Sequence, residues 1–265
     1  DKYQPIPTSR PERAGRYRDR ALFTDLDQNL IGNATALKHL ASVLKENKKC
    51  VTFGIATGRR IDSALALMNK HGIPRPDVLI SSLGTRIHYG QQLTEDHYWA
   101  DHIDHDWSIL RIRKLLEGLP GIKLQHKKEQ TAFKASYYYN QKKSPPIDEI
   151  IALLRQKEIS ASVIHSFGQF LDFVPSRASK GQALRYVAHR FEIPMEHTLV
   201  AGGSGADEDM MRGNTLAVVV GNRHNEELSQ LTEQDGIYFA QQNHASGILE
   251  AIDHYDFFDR CQLPE

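Results

Sequence analysis

The sequence predicts an α/β protein with a Rossmann-like parallel-sheet core, interrupted by an inserted α+β cap domain. Three observations carry this. Short apolar runs alternate with helical periodicity from Ala21 to Ser81, and the same alternation returns from Lys180 to the end of the chain. Between them the rhythm changes to an aromatic- and histidine-rich segment with short strands. The expected division is a linker or tail at 1–20, a core at 21–86 and 176–265, and an inserted cap at 87–175.

Taken in order, ALFTD (21–25) is an apolar run ending in a carboxylate, and Leu37, Leu40, Ala41 and Leu44 then trace one helical face. VTFGIA (51–56) reads as the second strand, 61–69 as a helix, and DVLIS (77–81) as the third strand. In the insertion the pattern predicts helices near 109–116 and 147–155, with strands at KASYYY (134–139), SASVIH and FLDFV. The second half of the core follows: a helix over 180–191, TLVAG (198–202), a short helix near 207–212, LAVVV (216–220), IYF (237–239) and a last helix at 245–252. A two-part chain of this kind places a cleft between core and insertion, a common location for small-molecule sites.

Composition narrows the function classes. Lysine plus arginine equals aspartate plus glutamate at 33 each, so no global field favours nucleic acid or an anionic membrane. No stretch reaches the ~20 apolar residues of a membrane span. The two cysteines, Cys50 and Cys261, are distant in sequence and suggest no disulfide framework, so a cytoplasmic location is the default expectation. The chain starts at Asp1, and the Pro- and Arg-rich 1–20 reads either as a linker from a longer polypeptide or as a trimmed terminus.

Chemistry concentrates in four loops. Asp25 and Asp27, in TDLDQNL (24–30), close the first strand, and residues i and i+2 of extended backbone project to one side. Such a pair suits nucleophilic attack by one carboxylate and proton transfer by the other; an isolated D-x-D is more often a helix cap or an Asx-turn. Thr57, Gly58 and Arg59 follow the second strand, where a hydroxyl and backbone N–H groups can hold phosphate oxygens. Lys180, in RASKGQA (177–183), opens a helix after the insertion. AGGSGADEDM (201–210) then offers acidic groups on a glycine-rich turn.

These four motifs, in this order, resemble the haloacid dehalogenase superfamily of phosphotransferases. The segments YWADHIDHDW, FKASYYYN, SFGQFLDFVPSRASKGQAL and VVVGNRHNEEL are similar, more narrowly, to sucrose-6-phosphate phosphatases and to the phosphatase-like C-terminal domain of sucrose-phosphate synthases. The resemblance implies an Asp25 nucleophile that also binds Mg²⁺, an Asp27 general acid/base lending its carbonyl to the metal, and Thr57 and Lys180 on the phosphate. Gly58, Arg59 and Gly84 join the substrate candidates, with Lys134, Ser136 and Gln169 from the cap. The implied substrate is a sugar phosphate, sucrose-6-phosphate, and the implied partner is a glycosyltransferase domain of a sucrose-phosphate synthase.

One corner departs from the pattern. Against the family's G-D-S-G-N-D, the sequence G202-G-S-G-A-D207 has Gly203 where the metal-binding Asp belongs and Ala206 in place of Asn. Asn29 stands where the family prefers Thr. Asp207, assigned to the metal set with Asp25 and Asp27, together with Glu208 and Asp209, is a candidate for compensation. Mg²⁺ is normally held by one or two carboxylates plus phosphate and water, so loss of one predicts impaired phosphoryl transfer. His97, His102 and His105 lack a zinc spacing; Tyr98, Trp99 and Trp107 are expected to pack the cap or form its hinge.

Overall fold

The structure is a computed structural model and describes residues 18–259 and 261. The core strands are β1 (Arg20–Thr24), β2 (Val51–Ala56), β3 (Val78–Ser81), β4 (Arg86–Tyr89), β5 (Thr94–Glu95) and, after the insertion, β10 (Thr198–Gly202), β11 (Leu216–Val219) and β12 (Ile237–Phe239). The insertion contributes β6 (Ile122–Leu124), β7 (Ala135–Tyr139), β8 (Ser162–Ser166) and β9 (Phe170–Val174). Core helices are α1 (Ala34–Glu46), α2 (Ile61–His71), α3 (His97–Ile103), α6 (Lys180–Arg190), α7 (Glu208–Met211) and α8 (His244–His254); α4 (Ile109–Glu117) and α5 (Ile147–Gln156) belong to the insertion.

The core sheet runs in the order β12-β11-β10-β1-β2-β3-β4-β5. It is parallel from β12 to β3 and antiparallel through β4 and β5. Alternation in β1 explains its central place: Ala21 and Phe23 enter one apolar cluster with α6 and α7, while Leu22 enters the other with α1, α2 and α8. β1 and β10 are neighbours, which brings the Asp25 loop and the 203–207 loop to the same end of the sheet.

The cap is a four-stranded antiparallel sheet, β6-β7-β9-β8. Period 2 sorts its faces. Ala135, Tyr137 and Tyr139 of β7 and Leu171 and Phe173 of β9 bury against α4 and α5, which turns Ser136, Tyr138, Phe170 and Asp172 to the opposite face.

Three expectations are corrected here. The insertion begins later than residue 87, because β4 and β5 extend the core sheet and α3 seats Trp99 and Ile103 in the core. These strands escape a periodicity reading because they are short: β4 offers only Ile87 and Tyr89 to the core, and β5 has two residues, with Glu95 pairing Arg86 at 2.8 Å. Trp99 is thus a core residue whose indole donates to Gly84 O at 2.7 Å, whereas Trp107 packs in the cap. Cys50 and Cys261, separated by 211 residues, form a disulfide with their Cα atoms 5.9 Å apart, so the cysteines do not support the expectation of a reducing compartment. The expected linker mostly lies outside the described residues; Arg18 pairs with Asp77 at 3.0 Å, and Arg20 opens β1.

Candidate phosphate and sugar site

Asp25, Lys180 and Asp207 form a buried line at the strand ends. Lys180 Nζ lies 3.0 Å from Asp25 Oδ2 and 2.9 Å from Asp207 Oδ1, and all three side chains are almost wholly inaccessible. Ser179 caps α6 by accepting from Gln182 N, which fixes the first turn and Lys180 with it. Burial, and next the charge of Asp207, push the Asp25 carboxyl up to about 8 against the pull of Lys180. Burial by itself would lower Lys180, but Asp207 and then Asp25 more than offset it and hold the ammonium above its ordinary range.

Asp27 is engaged elsewhere. Arg59 Nε and Nη2 donate to its two carboxylate oxygens at 2.7 and 2.9 Å, and Arg59 Nη1 reaches Ser63 Oγ at 2.8 Å. Arg59 therefore lines the cleft as the partner of an acid, a role that its grouping with Thr57 and Gly58 did not foretell. Thr57 is fully buried and its hydroxyl accepts from Arg59 N at 3.1 Å.

Gly203 faces this cluster without a side chain, and none of the neighbouring acids replaces it. Asp207, expected among the metal ligands, has Oδ1 on Lys180 and Oδ2 accepting from Gly203 N at 2.9 Å and Ser204 N at 3.1 Å. Gly202 permits that tuck, since a Cβ there would sit 2.4 Å from Asp207 Cβ. Glu208 pairs with Arg212 on the surface, and Asp209 accepts from Ser179 Oγ and from Gly181 N.

A divalent cation beside Asp25 has little to hold it. Asp27 and Asp207 have both carboxylate oxygens engaged, the Asp27 carbonyl that the resemblance assigns to the metal accepts from Asn29 Nδ2 at 3.2 Å, and the 203 position gives only backbone. Asn29 Oδ1, buried and without a hydrogen-bond partner, lines a small hollow with Asp25, Asp27, Gly203, Ser204 and Asn222, but it brings a dipole where the pattern calls for a charge. These residues do not fit the tight Mg²⁺ site implied by the resemblance. Among the described residues no three His, Cys, Asp or Glu side chains gather to hold a metal ion, the 97–105 histidines included.

Above this line a cleft of about 600 Å³ separates core and cap, lined by Asp25, Asp27, Gly58, Arg59 and Lys180 below and by Lys134, Gln169 and Asp172 above. Lys134 Nζ donates to Ser136 Oγ at 2.7 Å and stands 3.8 Å from Asp172. Burial raises the Asp172 carboxyl above its ordinary range, with Lys134 opposing. Ser136 does not line the cleft; it orients Lys134. Gly84 also stands away from it, since a Cβ there would lie 2.1 Å from Ser179 O, and its role is to let β3 and α6 approach. His126, Glu129, Phe170, Asp172 and His224 of the lining were not foreseen. Only Asp172 was legible, as a lone acid in an apolar strand.

Comparisons with known proteins bear on the family and the fold. The family model described as Sucrose-6F-phosphate phosphohydrolase matches residues 18–256. The mannosylfructose-phosphate phosphatase of Agrobacterium fabrum is 27% identical over 89% of this chain and 96% of its own length. The probable sucrose-phosphatase 2 of Arabidopsis thaliana is 29% identical over 76% of the chain, which spans about 50% of that relative. The solved structure of the Synechocystis sucrose-phosphatase, in complex with sucrose and phosphate, superposes with a TM-score of 0.84 at 31% identity, covering 90% of this chain and 98% of the other. With its parallel-sheet core, its inserted cap and its D-x-D at the end of β1, the chain belongs to the sucrose-6F-phosphate phosphohydrolase family of haloacid dehalogenase-like proteins.

Proposed function

We propose that this chain binds the phosphate ester of a fructose-containing disaccharide, sucrose-6-phosphate first, and hydrolyses it slowly or not at all. In this reading it serves as an accessory or regulatory domain of a sucrose-phosphate synthase. Binding is supported by Lys180 at the bottom of the cleft and by the polar cap face with Lys134, Gln169 and Asp172. The relatives named for sucrose phosphate and mannosylfructose phosphate share this substrate chemistry.

The observation that carries the loss of turnover is Gly203. Without a carboxylate there, a cation beside Asp25 lacks one of very few charged ligands, and losing several kcal/mol of transition-state stabilisation slows transfer by about a hundredfold or more.

A second reading, an active phosphatase, is favoured by the retention of Asp25, Asp27, Thr57 and Lys180 at the strand ends. Asp25 would then form a bond to phosphorus as the sugar oxygen leaves with a proton from Asp27, and water would release phosphate from the aspartyl ester. Calorimetric titration with sucrose-6-phosphate and with inorganic phosphate, beside an assay of phosphate release, separates the readings. Sugar-phosphate binding well above that of phosphate, with little release, is the expected result. Equal binding of both would remove the sugar-specific part.

A further inference from the structure

We propose that Glu227 is a latch that joins the cap to the core and sets how long a ligand stays in the cleft. One carboxylate oxygen makes the join: Glu227 Oε1 accepts from Phe167 N of the cap at 3.1 Å and from Gly205 N of the core at 2.8 Å. Oε2 accepts from Gly168 N at 2.6 Å. Phe167 and Gly168 form the turn between β8 and β9, both with positive φ, +54° and +69°. That turn shape exposes two successive N–H groups, a small concavity suited to an anion. A carboxylate receiving three N–H donors makes charge-assisted bonds, stronger than neutral ones.

The glycine-rich loop is shaped for the same contact. A Cβ at Gly205 would lie 2.1 Å from His165 O of the cap strand, so only glycine lets the cap settle here. Adjacent residues extend the interlock: the rings of Phe167 and His224 meet with centroids 5.1 Å apart, and His224 N donates to Gly203 O at 2.8 Å. The segment carrying Glu227 thus touches the cap turn and the 203–205 loop together, and its neighbours His224, Phe167 and Ser204 line the cleft with Asp25.

The effect on ligand residence rests on the reading of the cleft as a sugar-phosphate site; the latch itself does not. Hydrogen exchange tests the latch without ligand. In Glu227→Ala the amides of Phe167, Gly168 and Gly205 are expected to exchange at least about tenfold faster, while amides of β7 keep the wild-type rate. Gly205→Ala, which pushes the cap off by sterics alone, should give the same pattern, and Glu227→Gln, with one acceptor oxygen, an intermediate one. Wild-type exchange at all three amides in both Glu227→Ala and Gly205→Ala overturns the proposal. In the second arm, sucrose-6-phosphate should dissociate about tenfold faster from Glu227→Ala, with inorganic phosphate affinity unchanged. An unchanged dissociation rate, with sugar phosphate bound, overturns the residence claim; failure of wild type to bind sugar phosphate counts against the cleft reading and leaves the exchange result to decide the latch.

Discussion

Arg59 grips Asp27 with two near-parallel hydrogen bonds of 2.7 and 2.9 Å, so the second acid of the D-x-D pair faces a guanidinium across the floor of the cleft. The pair is part-exposed, 39% and 29%, so solvent screens it and its contribution to stability stays below about 1 kcal/mol. Its larger effect is on charge. Arg59→Ala leaves Asp27 uncompensated near the phosphate position, and sugar-phosphate affinity should fall about tenfold at low salt and less at high salt. Titration calorimetry at two ionic strengths measures this; unchanged affinity would show that Asp27 is neutralised by another group.

The buried line of Asp25, Lys180 and Asp207 makes stability depend on pH. With its carboxyl raised to about 8, folded Asp25 keeps a proton that the unfolded chain has already released above about pH 4. The unfolded state therefore binds fewer protons than the native state, so stability falls as pH rises from about 4 to about 8 and then levels off. Asp25→Asn stays neutral throughout. In thermal melts with chelator present, its advantage over wild type should widen toward alkaline pH and close as pH falls. A gap independent of pH contradicts the assignment.

Lys180 holds two buried carboxylates apart, and removing one member of a buried ion cluster leaves uncompensated charge, at a cost of about 3–5 kcal/mol. Lys180→Met should lose that much stability in urea unfolding at about pH 8.5, and Lys180→Met with Asp25→Asn should regain part of it. An additive double variant would mean that the two side chains do not interact.

The Cys50–Cys261 disulfide closes a loop of 211 residues, and its loss should cost about 2–4 kcal/mol. Cys50→Ser should lower the urea midpoint, and reductant should bring wild type to the same value without affecting the variant. A wild-type midpoint insensitive to reductant rules the crosslink out as a source of stability.

The fold was largely legible because both sheets bury at least one face. Phe23 and Leu22 alternate into two apolar layers, and Leu171 and Phe173 mark the inner face of the cap. β4, β5 and α3 were not legible, since β4 is only four residues long, with Ile87 and Tyr89 facing the core between Arg86 and His88, β5 has two residues, and α3 buries only Trp99 and Ile103. At the site, D-x-D and Thr57 follow strand ends and Lys180 opens α6, so each was visible locally. The Arg59 grip on Asp27, the commitment of Asp207 to Lys180, the cystine and Glu227 depend on residues brought together from 22 to more than 200 positions apart, and sequence patterning carries no signal for such pairs.

Gly203→Asp tests the central claim most directly. A Cβ there meets Val220 Cγ2 at 3.1 Å, a contact that a few tenths of an ångström of side-chain movement relieves, so the variant should fold. With Mg²⁺ and sucrose-6-phosphate, phosphate release is expected to rise about a hundredfold over wild type and to vanish when Asp25→Asn is added. Wild-type turnover already within about 1–1000 s⁻¹, abolished by Asp25→Asn and unimproved by Gly203→Asp, would contradict the account.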